Sequence, residues 1–318
     1  MILSDISSVI GTSEGKRMSI KGNVAFALFR LLKLVNKSSS DVEKMKKRAK
    51  KENEKFVFKM PKSKKAEFSL LPGTERECLI IQPKEMKDQD KAILYISGGV
   101  TNNWSTMLKM AVRYAVDTGV QTWYPVYPSM SEVNVTDAVA YLIDIYQRMT
   151  EIFAPEKITI YGVSMGGFCA LQILNFINHQ HLEQPMPGLM IVHSPWGLPD
   201  NEEDWELFRR YKKRDPLFIE DNLRMLEDLI PHTEPIPEWV LHSAQGDFTN
   251  APPTYMYYGE EMLAGNEVLY RRAYERSGSG DKLHTDIEMK MVHGYSSART
   301  FPESRIKYDE TLKLIEEL

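Results

Sequence analysis

The sequence predicts an α/β fold in which a mostly parallel central sheet is flanked by helices and covered by a helical cap. Three observations carry that expectation. Beyond residue 75, short β-branched and aromatic runs alternate with longer helical patterns, the rhythm of a wound parallel sheet. One such run, 157–161, leads straight into Gly162-Val163-Ser164-Met165-Gly166 and then a helix-forming stretch. The rhythm breaks once, between Pro195 and Asp247, where charged amphipathic segments replace strands and suit a lid laid over a site. With 318 residues the chain is long for one α/β domain and short for two, so one large core with an added cap is expected.

Residues 1–60 are expected to form a helical arm that contributes to the cap. Val24, Leu28, Leu31, Leu32 and Val35 mark one face of an amphipathic helix. Arg30 and Lys33 interrupt this most apolar stretch and no basic region precedes it, which argues against a signal peptide or a stable membrane insertion and for a cytoplasmic location. Residues 37–65 hold 12 Lys and Arg against 4 Asp and Glu, a run that reads as a solvated helix and linker ending near Pro61. The net charge of -4 gives no reason to expect nucleic acid as a partner.

Residues 61–318 are expected to hold the main domain, with the cap inserted at about 197–246. Strands are predicted at 77–82, 91–96, 121–126, 157–163, 188–193, 254–258 and 286–292. Helices are predicted at 105–118, 133–150, 166–178, 266–276 and 303–317, with 202–213 and 217–229 in the cap. Cys78 and Cys169 lie far apart without metal-ligand spacing and read as small buried thiols.

A serine between close glycines at a sharp strand-to-helix turn is exposed above a sheet, and the helix behind it points its positive end at the hydroxyl. Ser164 is therefore the candidate nucleophile, and such a serine needs a base and the base an orienting acid. Of seven histidines, His293 is best placed, because it follows an alternating strand and precedes Gly294. His193 also ends a strand but has no acid in suitable order. The acid is expected just after the strand preceding that of the histidine, where Glu260 and Glu261 stand; Glu261 is the first choice and Glu260 the reserve. Ser97-Gly98-Gly99-Val100 follows an apolar strand, so the peptide N–H groups of Gly98 and Gly99, with that of Met165, are candidate oxyanion donors.

Tyr95-Ile96-Ser97-Gly98-Gly99, Tyr124-Pro125-Val126-Tyr127-Pro128, the segment from Gly162 to Gly167, Ser194-Pro195-Trp196, Pro252-Pro253, Gly259 with Glu261-Met262-Leu263, and His293-Gly294-Tyr295 follow one another in an order that resembles the hormone-sensitive-lipase-like esterases of the α/β-hydrolase fold. The resemblance spans roughly residues 75–318. It implies a carboxylesterase acting on short to medium acyl chains through a Ser-His-Glu triad and an acyl-enzyme, with a cap built from the N-terminal helices and the segment after Trp196. No metal or organic cofactor is implied. The sequence departs from the family in having Ser97 where a histidine is usual, Val100 where a small residue is usual, and Val163 and Met165 at the variable positions of the elbow. Trp196 and Val100 are the candidate substrate contacts. These departures keep a second reading open, a catalytically weak or inactive ligand-binding protein on the same fold. A homodimer through the last strand and helix of the sheet is also compatible with the sequence.

Overall fold

The computed structural model describes residues 19–35, 42–99, 104–227, 230–231 and 236–318. Val100, His232 and much of the segment before Ile20 therefore lie outside the described residues. Eight strands form one sheet: β1 (Ala66–Leu70), β2 (Cys78–Pro83), β3 (Ala92–Ile96), β4 (Gln121–Pro125), β5 (Ile158–Val163), β6 (Leu189–His193), β7 (Thr254–Gly259) and β8 (Leu283–Glu288). Their spatial order is β1-β2-β4-β3-β5-β6-β7-β8. Only the β1–β2 and β2–β4 pairs are antiparallel. From β4 to β8 every neighbour is parallel.

The central strands are buried on both faces, which is why they read as nearly continuous apolar runs. All residues of β3, β5 and β6 are buried. Each aliphatic side chain so buried contributes roughly 1.5–3 kcal/mol. Tyr95 on β3 stacks on Tyr161 of β5 with ring centroids 4.8 Å apart, and the Tyr161 hydroxyl donates to that of Tyr114 at 2.9 Å.

Ten helices are found among the described residues: α1 (Ile20–Val35), α2 (Val42–Glu54), α3 (Trp104–Thr118), α4 (Val135–Thr150), α5 (Met165–His179), α6 (Glu202–Arg209), α7 (Glu220–Glu227), the single turn α8 (Glu238–Leu241), α9 (Asn266–Arg276) and α10 (Pro302–Glu317). Helix α4 starts two residues later than the periodicity predicts, because Asn134 is its N-cap and accepts from the Asp137 N–H at 2.8 Å. Helix α5, predicted from Gly166, is buried from Met165 to Ile177. It lies so close to the sheet that a Cβ on Gly166 would meet the Ile96 carbonyl oxygen at 2.2 Å.

The structure differs from the sequence expectation at both sheet edges. Strand β1 is not predicted: Ala66 is its only fully buried residue, so its apolar alternation is weak. Strand β8 ends at Glu288, and residues 289–292, expected within it, turn away through Lys290 at φ 58°. In the cap, α6 ends at Arg209, short of the predicted 213. It buries Trp205, Leu207 and Phe208, and Phe208 packs on Gly265. Arg209 joins Glu202, Glu206 and Glu220, binding α6 to α7. The Ser19 N–H and hydroxyl bond Glu303 of α10, and Asn53 at the end of α2 bonds Ser131, so the described part of the arm is fastened to the main domain. A groove of about 960 Å³ between residues 52–63 and α3 is lined by Phe56, Phe58, Met60, Leu108 and Val112.

Candidate active site

Parallel pairing from β3 to β8 places the carboxyl ends of five strands on one rim, and each delivers one part of the site. The β3 and β5 ends flank the point where the chain, having built one side of the sheet, turns to build the other. Such a crevice is where open α/β sheets place ligands.

Strand β5 delivers Ser164 at φ 54° and ψ -120°, a conformation costly for an L-residue. Three backbone contacts hold it there. Its N–H donates to the His193 carbonyl at 2.8 Å, and its own carbonyl accepts from Phe168 and Trp196, both at 3.0 Å. Strand β8 and the loop after it deliver His293, whose Nε2 lies 2.8 Å from the Ser164 Oγ. Strand β7 delivers Glu261, whose Oε2 lies 2.5 Å from the His293 Nδ1. The structure thus brings together the three residues that the sequence singles out.

Glu260 and Glu261 are both buried but have different partners. Glu261 is fully buried. Glu260 instead pairs with Arg214 of the cap at 3.0 Å and accepts the Lys290 N–H at 2.9 Å. The Glu260 N–H also donates to the Met291 carbonyl, so Glu260 fixes the loop that carries His293 without touching the imidazole. Burial works to lower the His293 pKa, but the charge and hydrogen bond of Glu261 and the nearby charge of Asp215 outweigh it, and the net shift is upward.

Strand β3 delivers Gly98 and Gly99. A Cβ on Gly98 would meet the Val163 carbonyl oxygen at 2.7 Å and the Ser164 Cβ at 3.0 Å, so this backbone passes directly against the elbow. Gly99 has φ 110°, in the region that favours glycine. The Tyr127 hydroxyl donates to the Ser97 carbonyl at 2.7 Å and holds the end of β3 in place. Met165 is the first residue of α5, so its N–H is one of the unpaired donors at that helix start. Trp196 is buried and lies edge-on to Phe218, with centroids 6.4 Å apart.

His193 is buried between Tyr161 and Tyr257 with its Nδ1 2.6 Å from the Ser296 Oγ, and burial pushes its pKa down to about 3. It is a neutral packing residue. His179 and His284 stack on Trp239 and Tyr255, and the His242 Nδ1 sits 2.9 Å from the Leu198 carbonyl oxygen. Asp286 pairs with Lys307 of α10. Burial pushes the thiols of Cys78 and Cys169 well above their ordinary pKa. Among the described residues no group of three or more His, Cys, Asp or Glu side chains is arranged to hold a metal ion, and no helix is long and apolar enough to cross a membrane.

Sequence reasoning missed two polar residues of this site. The Ser194 hydroxyl donates to the Glu261 Oε1 at 2.5 Å and accepts the Gly294 N–H at 2.9 Å, linking the acid to the histidine loop. Its place after a strand, in Ser194-Pro195-Trp196, was the available signal. Asp215 reaches the same region from the cap through the Met262 N–H at 2.6 Å, and nothing local in the sequence marks it.

Comparison with known proteins agrees with this architecture. The sequence profile of the alpha/beta hydrolase fold matches residues 93–297. An esterase from the bacterial hormone-sensitive lipase family is similar in structure, with 17% identity, a TM-score of 0.75, and coverage of 95% of this chain and 99% of that one. An esterase/lipase from an uncultured bacterium has 18% identity, a TM-score of 0.75, and coverage of 94% and 98%. The esterase EstE5, in a crystal soaked with p-nitrophenyl butyrate, has 18% identity, a TM-score of 0.74, and coverage of 94% and 98%. At these identities the likeness is one of fold. No curated protein matches the sequence.

Proposed function

The chain belongs to the alpha/beta hydrolase fold family, and from that premise we propose that it is a serine hydrolase cleaving carboxylic esters of short to medium acyl chains. The observation that carries this reading is the unbroken line from the Ser164 Oγ through His293 to Glu261, with separations of 2.8 and 2.5 Å.

Ser164 attacks the acyl carbon while the His293 Nε2 takes its proton. Glu261, already bonded to Nδ1, fixes the tautomer that presents a lone pair to serine and stabilises the imidazolium that forms. Negative charge develops on the carbonyl oxygen, and the N–H groups of Gly98, Gly99 and Met165 supply the donors for it. His293 then returns the proton to the departing alcohol, leaving an acyl group on Ser164. Water, activated by the same imidazole, releases the acid. Trp196 is assigned to the substrate-facing wall, and the two buried thiols support a cytoplasmic location.

The test is hydrolysis of p-nitrophenyl esters from acetate to decanoate by the native chain and by Ser164→Ala. Loss of about 10⁴-fold or more in kcat is expected in the variant, with the chain-length profile sizing the acyl pocket. Equal turnover by Ser164→Ala refutes the serine mechanism. No turnover by folded native protein on any ester transfers weight to a ligand-binding role.

A further inference from the structure

Among the described residues, the cap segment 215–218 reaches the site, and its geometry is not that of a passive cover. The Asp215 carboxylate is 2% exposed and spans two parts of the chain. Its Oδ1 accepts the N–H groups of Leu217 at 2.6 Å and Phe218 at 2.7 Å, while Oδ2 accepts that of Met262, the residue after Glu261. One buried carboxylate therefore fastens the cap to the turn that carries the acid. Burial and the Glu261 charge raise its pKa, and the three N–H donors offset part of that cost.

The segment so fastened delivers Phe218 onto the histidine. The Phe218 and His293 rings stand nearly perpendicular, at 85°, with centroids 5.0 Å apart, and Phe218 also lies edge-on to Trp196 at 6.4 Å. Phe218 is only half-buried, so part of the ring is not packed into protein. Because the His293 Nε2 must hand its proton to the departing oxygen, the alcohol portion of an ester lies beside that imidazole. A ring packed on the imidazole therefore borders the alcohol side of the site.

We propose that Phe218 is the specificity-determining residue for the alcohol portion of the substrate, excluding bulky or branched alcohols, and that Asp215 is the positioning residue that holds it there. This rests on the ester-hydrolase reading above. A side chain that merely filled space in the cap would affect stability without separating alcohols from acyl groups.

The experiment compares native protein, Phe218→Ala and Asp215→Asn on two series: acetates of ethyl, isopropyl and tert-butyl alcohol, and p-nitrophenyl esters from acetate to hexanoate. Phe218→Ala is expected to raise kcat/KM for tert-butyl relative to ethyl acetate by about tenfold or more, since one to a few methyl groups in a pocket are worth roughly 10- to 200-fold, while acyl ratios stay within about twofold. Asp215→Asn is expected to shift the alcohol ratio in the same direction and to speed amide hydrogen exchange at Leu217, Phe218 and Met262. An unchanged alcohol ratio in Phe218→Ala, or a shift confined to the acyl series, overturns the assignment of Phe218. Unchanged exchange at the three amides overturns the role of Asp215, whatever the activity. If native protein turns over esters and Ser164→Ala does not, a failure of either variant counts against this inference alone. If native protein hydrolyses no ester, both readings fall, while the exchange result still decides whether Asp215 is the fastening.

Discussion

Removing the Ser194 hydroxyl tests what its two hydrogen bonds, to Glu261 and from the Gly294 N–H, contribute to the geometry of the site. Ser194 is fully buried, and its hydroxyl donates at 2.5 Å to a carboxylate with no exposure to solvent. A hydrogen bond to a buried charge is worth roughly 1.5–3 kcal/mol. If all of it acted on the transition state, the loss would be about 10- to 150-fold, at 1.36 kcal/mol per decade. Glu261 keeps the Gly259 N–H at 3.2 Å on the same oxygen and His293 on the other, so the lower part of that range is expected. We therefore expect Ser194→Ala to lower kcat on p-nitrophenyl butyrate by about 10- to 50-fold, with KM within about threefold. The Gly294 N–H also loses its acceptor, and stability should fall by about 1–2 kcal/mol in urea unfolding. Ser194→Gly separates the two effects. Ser194 has φ 46°, and glycine relieves roughly 1 kcal/mol of that strain while restoring no hydroxyl. The glycine variant should be more stable than the alanine variant and equally slow. Recovery of native kcat by Ser194→Gly would refute the assignment of the hydroxyl to positioning Glu261.

Glu261→Gln should lower kcat by about 10³- to 10⁴-fold through loss of the orienting charge, whereas Glu260→Gln, which loosens only the Arg214 and Lys290 contacts, should cost less than about tenfold; steady-state kinetics on one ester decides between them, and the reverse order moves the acid to Glu260. His293 acts as a base only when neutral and its pKa is raised, so kcat/KM should be low in acid and rise through a value above the ordinary histidine 6.5. In Glu261→Gln the rise should move to lower pH, and a pH–rate profile showing no such displacement removes Glu261 as its cause. Gly98→Ala places a methyl group 2.7 Å from the Val163 carbonyl oxygen and 3.0 Å from the Ser164 Cβ, so kcat should fall at least about 10²-fold by displacing the donors, while thermal unfolding shows how much of the loss is stability.

What was legible in the sequence was local. Residues 157–166 hold a buried strand, a tight turn and a helix start within ten positions, and each part reinforces the others. The sequence order of Ser164, Glu261 and His293 was legible too, because Glu261 closely follows the end of β7 and His293 follows β8. Where distance in sequence enters, the signal fades. The end of β8 was misjudged because Met289, Met291 and Val292 keep an alternating apolar pattern through a loop whose turn at Lys290 is held by Glu260, thirty residues earlier. Strand β1 was missed because pairing with β2, not apolar content, makes it a strand. Asp215 could not be found at all. Its meaning lies in a bond to Met262, 47 residues away, and a lone aspartate before a proline reads as an ordinary turn.

Ser164 follows β5 and His293 lies on the loop after β8, two strands that do not touch because β6 and β7 lie between them. The 2.8 Å separation of Ser164 and His293 therefore depends on three successive strand pairings, on the twist each imposes, and on the Glu260 and Ser194 contacts that hold the His293 loop. A conservative exchange within these strands, such as Met190→Leu or Met256→Leu, should cost less than about 1.5 kcal/mol of stability. A displacement of about 1 Å at a reacting atom, by contrast, can cost on the order of 10²-fold in rate. On the proposed mechanism, turnover should therefore register a small rotation of the sheet long before a melting curve does.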